Sequence, residues 1–506
     1  MDETLHIPEI QNTIFSHFDP GDFVGPAALA LKSLAALART CKSFQRPALE
    51  ALWRLQTDLV PALQLFPDDV WDVGSYLGKK TFLKFRRPLV PIDWERPLVY
   101  WKLIKAFRIF EFDKERISPD VWETLRNSCP TPSLFPNVRE ASWFVESASF
   151  LPLFSILLSP RLKSVSLLPG GSSAFLSILS TLGEYSDLTH VDLRGQWDGP
   201  APDVLESISA FILKLRRLES LRLPEANGAI IMHLARLPSL KSLVVDAAVR
   251  FSPAILRNSS DARFPSLRAL HLWAISLDHS VAIVEAVTEP AITSLNLVFN
   301  AGTPDAQAIT RMYTAIASNR DHSALRYLRL EDGRTSYIRA YSPDQRIVPT
   351  ETLGILFAFT NLTTIILKPF HGLELDDETM LRIARTWRRV EELRLAGPAR
   401  VTLAGIHSLA RHCPDLRVLE IFLDASSVPV LDEIHPQTRL TILVPNESPI
   451  SSPAAVSIFL SSVFPGLQDI EVILPVNHNR TRRLWNKVDH FLKAGTEFAH
   501  DDDENK

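Results

Sequence analysis

One pattern of apolar and polar positions recurs along the chain: apolar, two variable residues, apolar, one variable residue, apolar. It reads RLKSVSLL at 161–168, DLTHVDLR at 187–194, RLESLRLP at 217–224, SLKSLVVD at 239–246, SLRALHLW at 266–273 and AITSLNLV at 291–298. It continues as ALRYLRLE at 324–331, NLTTIILK at 361–368, RVEELRLA at 389–396 and DLRVLEIF at 415–422. NVREASWF at 137–144, RLTILVP at 439–445 and GLQDIEVI at 466–473 are weaker copies, and LIKAFRIF at 103–110 reads as a first one. Side chains alternate between the faces of a strand. The leading, fourth and sixth residues of each copy are therefore expected inside, and the third, fifth and seventh outside.

The leading residues run from Val138 through Leu162, Leu188, Leu218, Leu240, Leu267, Ile292, Leu325, Leu362, Val390, Leu416 and Leu440 to Leu467, in steps of 22 to 37 residues. Most steps fall in or near the period of about 20–29 that marks leucine-rich repeats. The long steps after Ile292 and Leu325 predict loop insertions. Between the copies lie segments of helical period, among them DVLESISAFILKL at 203–215, DDETMLRIARTW at 376–387 and LAGIHSLARHC at 403–413. Prolines two residues before the leading position (Pro136, Pro160, Pro238, Pro265, Pro290, Pro414 and Pro465) end each helix and lead into the strand. The expected fold is α/β: a leucine-rich-repeat solenoid, horseshoe-shaped, with a parallel β-sheet on its concave face.

Before the repeats the pattern changes. In IPEIQNTIFSHF at 7–18, Pro8 suits a first helical turn, and Ile7, Ile10, Ile14 and Phe18 share one face. DPGDFVGPA at 19–27 is a breaker-rich loop. A second helix carries Leu31, Leu34, Leu37, Ala38 and Cys41 on one stripe, and Pro47 is expected to start a third with Leu49, Leu52 and Trp53. A core this small rarely stabilises itself. The expected organisation is a helical module over 1–56, a helical linker over 57–102 packing on the solenoid, repeats over 103–475, and a C-terminal helix with an acidic tail over 476–506.

The first seventy residues resemble an F-box. The likeness rests on the opening Ile7-Pro8-Glu9-Ile10, a variable loop, and a leucine-rich helix ending near Cys41 and Phe44. ALEALWRLQTDLVPALQLFPDDVW at 48–71 is similar to the segment that follows the F-box in fungal F-box proteins with leucine-rich repeats. The late valine and tryptophan of the usual motif are missing; Phe44 stands near that place and Trp53 comes later. The resemblance implies docking on a Skp-type adaptor and, through it, a cullin. It places the adaptor contacts on Ile7, Pro8, Glu9, Ile10, Ile14, Leu34, Leu37 and Cys41. It also implies a substrate-receptor subunit of an SCF-type ubiquitin ligase, without catalysis, cofactor or metal. The alternative is a leucine-rich-repeat scaffold or inhibitor outside any ligase; an enzyme with unrecognised chemistry stands third.

The outward strand positions that would meet a protein partner are His190, Asp192, Arg194, Ser220 and Arg222, then His271, Trp273, Asn296, Tyr327, Arg329, Glu331, Lys368, Glu392, Arg394 and Glu420. Their mixed charge and aromatics fit a protein epitope better than nucleic acid. A net charge of −4 over 506 residues adds no basic field. No apolar run suggests a membrane span. Three cysteines, odd in number and far apart, point to a reducing compartment and an intracellular protein, cytoplasmic or nuclear. GSYLGKKT at 74–81 lacks the spacing of a phosphate loop. Cys413 beside His412 reads as a small buried hydrophobe before it reads as a nucleophile.

Overall fold

The computed structural model describes residues 13–14, 27–76, 79–110, 119–145, 148–168, 173–194, 202–247, 249–287, 292–299, 306–318, 321–333, 348–369, 372–397, 400–446, 448–472 and 479–494. The chain divides into two compact units, Met1–Pro224 and Glu225–Lys506. Each is a strand–helix array of leucine-rich-repeat type built on a parallel sheet.

In the first unit the parallel strands follow one another in chain order: Leu55–Gln56, Ala106–Ile109, Glu140–Trp143, Ser164–Leu167, His190–Leu193 and Ser220–Leu223. The alternation expected from the repeats holds. In Ser164–Leu167, Val165 and Leu167 are buried while Ser164 and Ser166 are not. The leading residues, such as Leu162 and Leu188, enter the core just before their strands. The strand at Leu55–Gln56 is too short to carry a repeat pattern. It pairs with Ala106–Ile109 and continues directly from the preceding helix.

That helix spans Lys42–Arg54, not a start at Pro47. Cys41 sits at its N-cap, so Ala38 and Cys41 lie beyond the helix Ala27–Leu37 rather than on its stripe. Pro47 lies inside the helix, where its missing N–H forgoes the bond to the Ser43 carbonyl. The 57–102 segment is not wholly helical. It contains an antiparallel pair, Trp71–Tyr76 with Lys79–Phe85, in which Gly74 lies opposite Thr81. Its core is aromatic: Phe66 meets Trp71, Trp94 and Trp101 edge-on, and Trp101 Nε1 donates to Ala62 O at 3.2 Å.

In the second unit the ladder runs through Ser242–Val245, Ala269–Ile275, Ser294–Phe299, Tyr327–Asp332, Thr364–Lys368, Glu392–Leu395, Val418–Glu420, Ile442–Val444 and Asp469–Ile470. Helices return between strands, as at Leu277–Glu285, Asp377–Thr386, Leu403–His412 and Pro453–Val463. Asp376 caps its helix by accepting from Thr379 N at 2.8 Å, as the acidic helix start predicts. The helix Asn479–Ala494 packs on Pro453–Val463. Its buried Trp485 donates through Nε1 to Ser448 O at 2.9 Å.

Candidate functional site

Each strand turns one face to the core and leaves one open, and the register sets which open-face side chains become neighbours. In the second unit one row runs His271, Asn296, Arg329, Ile366, Arg394, Glu420 and Val444, each opposite the next. A second row places Val298, Glu331 and Lys368 side by side. Adjacent strands lie about 4.8 Å apart, so long side chains in these rows must touch.

They do so as charge pairs. Arg329 donates to Glu331 Oε2 through Nε at 2.8 Å and Nη2 at 2.6 Å. Lys368 Nζ lies 2.7 Å from Glu420 Oε1, and Arg394 Nη1 lies 3.0 Å from Glu420 Oε2. Arg394 also donates to Glu392. Burial disfavours the Arg394 charge, but the hydrogen bonds to Glu392 and Glu420 outweigh that and raise its pKa. Arg329 lies over the Trp273 ring, its Cζ 5.2 Å from the centroid. His271 donates to or accepts from Ser294 Oγ at 3.0 Å, with its ring 6.4 Å from that of Tyr327.

The second unit thus brings His271, Trp273, Asn296, Tyr327, Arg329, Glu331, Lys368, Glu392, Arg394 and Glu420 onto one open face. None of them is exposed as expected: His271, Trp273, Tyr327, Arg329, Lys368, Glu392 and Arg394 are half-buried, and Asn296, Glu331 and Glu420 are buried. Glu331 lies under Arg329 and Glu420 between Lys368 and Arg394, because a short acid flanked by long cations is enclosed by them. Asn296 is enclosed between His271 and Arg329 in the register.

In the first unit His190 and Arg194 are exposed, and Asp192, Ser220 and Arg222 are half-buried. Asp192 lies opposite Arg222 and pairs with Arg194 Nε at 2.9 Å. Arg194 stands 5.2 Å over Phe144, which stacks on Phe110 at 5.4 Å. Phe110 and Phe144 occupy seventh repeat positions on the open face, with Phe110 41% exposed, whereas Ile366 holds a fifth position but is buried. The positional rule that found the polar residues also reaches these apolar ones.

Of the adaptor-contact positions, Ile7, Pro8, Glu9 and Ile10 lie outside the described residues. Ile14 is 38% exposed, and Leu37 and Cys41 are half-buried. Leu34 is corrected: at 0% exposure it packs with Ala48 in the core between Ala27–Leu37 and Lys42–Arg54 and is closed to a partner. Leu37, Ala38, Phe44, Ala51 and Leu52 surround that core but are only partly buried, and Leu31 is exposed.

Cys413 is buried, its Sγ directed at the carbonyls of Ala384 and Trp387, and burial pushes the thiol up to about 12. It is a packing residue, not a nucleophile. Among the described residues no three His, Cys, Asp or Glu side chains gather as a metal site, and no helix is long and apolar enough to cross a membrane.

No family model matches the chain, and no curated protein matches it. Among solved structures it is similar to the Rad7 and Elc1 complex in yeast, with a TM-score of 0.36 and 13% identity over 67% of this chain and 78% of that one. It is also similar to an internalin of Listeria monocytogenes, with a TM-score of 0.27 and 10% identity over 73% of this chain and 88% of that one.

Proposed function

We propose that the chain is a non-catalytic substrate receptor of an SCF-type ubiquitin ligase. The helical module would dock on a Skp-type adaptor and, through it, a cullin, while the open faces of the repeats hold a protein substrate. The observation that carries this reading is the partly accessible apolar surface that the described helices of the module leave around a small core. Among the described residues of Ala27–Leu37 and Lys42–Arg54, Leu34 and Ala48 are fully buried, while Leu31, Leu37, Phe44 and Leu52 stay partly accessible. Apolar surface of this kind beside so small a core calls for a partner. Together with the Ile7-Pro8-Glu9-Ile10 opening, it fits the F-box arrangement. Its contribution to the reaction would be effective concentration: substrate held beside the ligase's catalytic subunits.

The second reading, a repeat scaffold with no ligase role, draws on the same open faces. Affinity purification of the full chain and of a chain lacking residues 1–56, each followed by mass spectrometry, separates the two. The receptor reading expects adaptor and cullin with the full chain only, and the repeat-bound protein with both. Recovery of that protein with neither adaptor nor cullin in either sample leaves the scaffold.

A further inference from the structure

Five arginines gather at the ends of two packed helices in the second unit. Asp377–Thr386 carries Arg382 and Arg385, Arg388 and Arg389 follow it, and Arg411 lies in the last turn of Leu403–His412. All five are exposed. The two helix ends touch through Cys413, whose Sγ points at the Ala384 and Trp387 carbonyls. Basic residues in a last turn offset the helix dipole, which accounts for Arg385 and Arg411 but not for the others.

Along the same edge, other arginines pair with acids from repeat to repeat: Arg417 with Glu391, and Arg439 with Asp415. Arg389, Asp415 and Arg439 each hold the first position of their repeats, so one acid stands between two cations, and Arg439 takes it at 2.7 Å. Among the described residues none of the five arginines forms an ion pair. Arg382 lies over the Phe357 ring, 5.3 Å from its centroid, and Arg388 Nε donates to Arg385 O at 3.1 Å. These charges are anchored without being neutralised. His412 is half-buried among them; burial first, then Arg385, Arg411 and Arg388, hold its pKa below the ordinary imidazole value.

Acids bound the patch. Glu378 stands one turn before Arg382, and the exposed Asp432 and Glu433 precede His435, with Glu433 3.6 Å from its ring nitrogen. A duplex or a membrane surface would press its phosphates on these acids, so the patch suits a short acidic segment. The chain carries one. Residues 495–506, GTEFAHDDDENK, lie outside the described residues and hold Glu497, Asp501, Asp502, Asp503 and Glu504. Thr386 and His412 lead into the strand starts Glu392 and Val418, which stand in register with Ile442 and Asp469. The helix Asn479–Ala494 ends at that edge too, since Lys493 Nζ meets Asp469 Oδ1 at 2.9 Å. The chain from Ala494 to Glu504 can extend to about 35 Å, and packed layers lie about 10 Å apart. That is enough to pass Pro453–Val463 and the 426–436 segment and come to Arg411.

We propose that the chain's own acidic segment 501–504 docks on Arg382, Arg385, Arg388, Arg389 and Arg411, covering the ends of the two helices. An acidic partner of this patch must then displace it. The inference is independent of what the open strand face binds.

The test compares the full chain with the same chain carrying Asp501→Asn, Asp502→Asn, Asp503→Asn and Glu504→Gln, using the synthetic peptide GTEFAHDDDENK as probe. The substituted chain is expected to bind the peptide, and less well as salt rises. If that binding is near about 100 μM, a tethered segment at about 1 mM effective concentration weakens it about tenfold in the unsubstituted chain. No binding by the substituted chain, or equal binding by both, overturns the docking. Adding Arg385→Glu with Arg411→Glu to the substituted chain should weaken the peptide at least about tenfold. Arg385→Gln with Arg411→Gln should weaken it less, with the thermal midpoint unchanged. Arg482→Glu with Arg483→Glu, at exposed cations of Asn479–Ala494, should leave it bound. Equal losses from the two charge-reversed pairs, or no loss from the Gln pair, would mean a general attraction to cations and overturn the docking.

Discussion

Lys368 and Glu420, 52 positions apart in the sequence, meet at 2.7 Å across the open face of the second unit, reaching over the Glu392–Leu395 strand that separates theirs. Arg394 on that intervening strand takes the other carboxylate oxygen. One acid therefore ties three repeats together.

Removing that acid is expected to leave two cations facing each other. Glu420→Ala should lower unfolding stability by about 1–3 kcal/mol, since both partners are partly screened by solvent. The pair Lys368→Met with Glu420→Leu should lose less than the sum of the single changes. Urea midpoints of the four proteins check this.

Leu34→Ala should open the helical module without unfolding the repeats. A buried leucine truncated in a core of this size costs about 2–5 kcal/mol, and the module has little else to hold it. Hydrogen exchange is expected to quicken over 27–54 and to stay slow in Glu392–Leu395. Leu31→Asp, at an exposed site of the same helix, should leave both rates unchanged.

Gly405→Ala should destabilise the second unit although alanine is the better helix former. A Cβ at this position would stand 2.3 Å from Asp377 Oδ1 and 2.8 Å from Val401 Cγ1. Asp377 cannot yield freely, because its two oxygens accept from Thr402 N and Oγ1, both at 2.7 Å. The clash should cost about 1–3 kcal/mol against a gain of about 1 in helix propensity, read as a lowered thermal midpoint.

Stability should fall at both ends of the pH scale, for different residues. The buried Cys413 thiol, raised to about 12 from an ordinary 9.0, binds its proton more tightly folded than unfolded. Its contribution is complete below pH 9.0 and is lost as pH climbs from there to about 12. The His407 pKa is lowered from 6.5 by burial and then by His435 and Arg411. Its contribution is complete above pH 6.5 and is lost as pH falls through the depressed value. Urea midpoints against pH should show a smaller alkaline decline in Cys413→Val, and their acid decline should shrink in His407→Gln.

The repeat ladder was legible because its signal is written many times: Leu393 and Leu395 are buried for the same reason as Val165 and Leu167. The open-face positions followed from the same register. What the one-dimensional pattern could not carry was enclosure by side chains from other repeats. Glu420 looked exposed because Lys368 and Arg394 close over it only after the strands align. Leu34 looked like a contact residue because its stripe matches either side of a two-helix core, and only the packing against Ala48 decides. The strand at Leu55–Gln56 and the antiparallel pair Trp71–Tyr76 and Lys79–Phe85 carry too few alternations to stand out from the flanking helices.

Adaptor docking by the helical module is read out by titrating the purified Skp-type adaptor into the full chain in a calorimeter. One adaptor is expected per chain, with binding abolished by Leu31→Asp together with Leu37→Asp while the thermal midpoint of the repeats is unchanged. A folded, unmodified chain that gives no binding heat, and no co-elution with the adaptor on a sizing column, would contradict it.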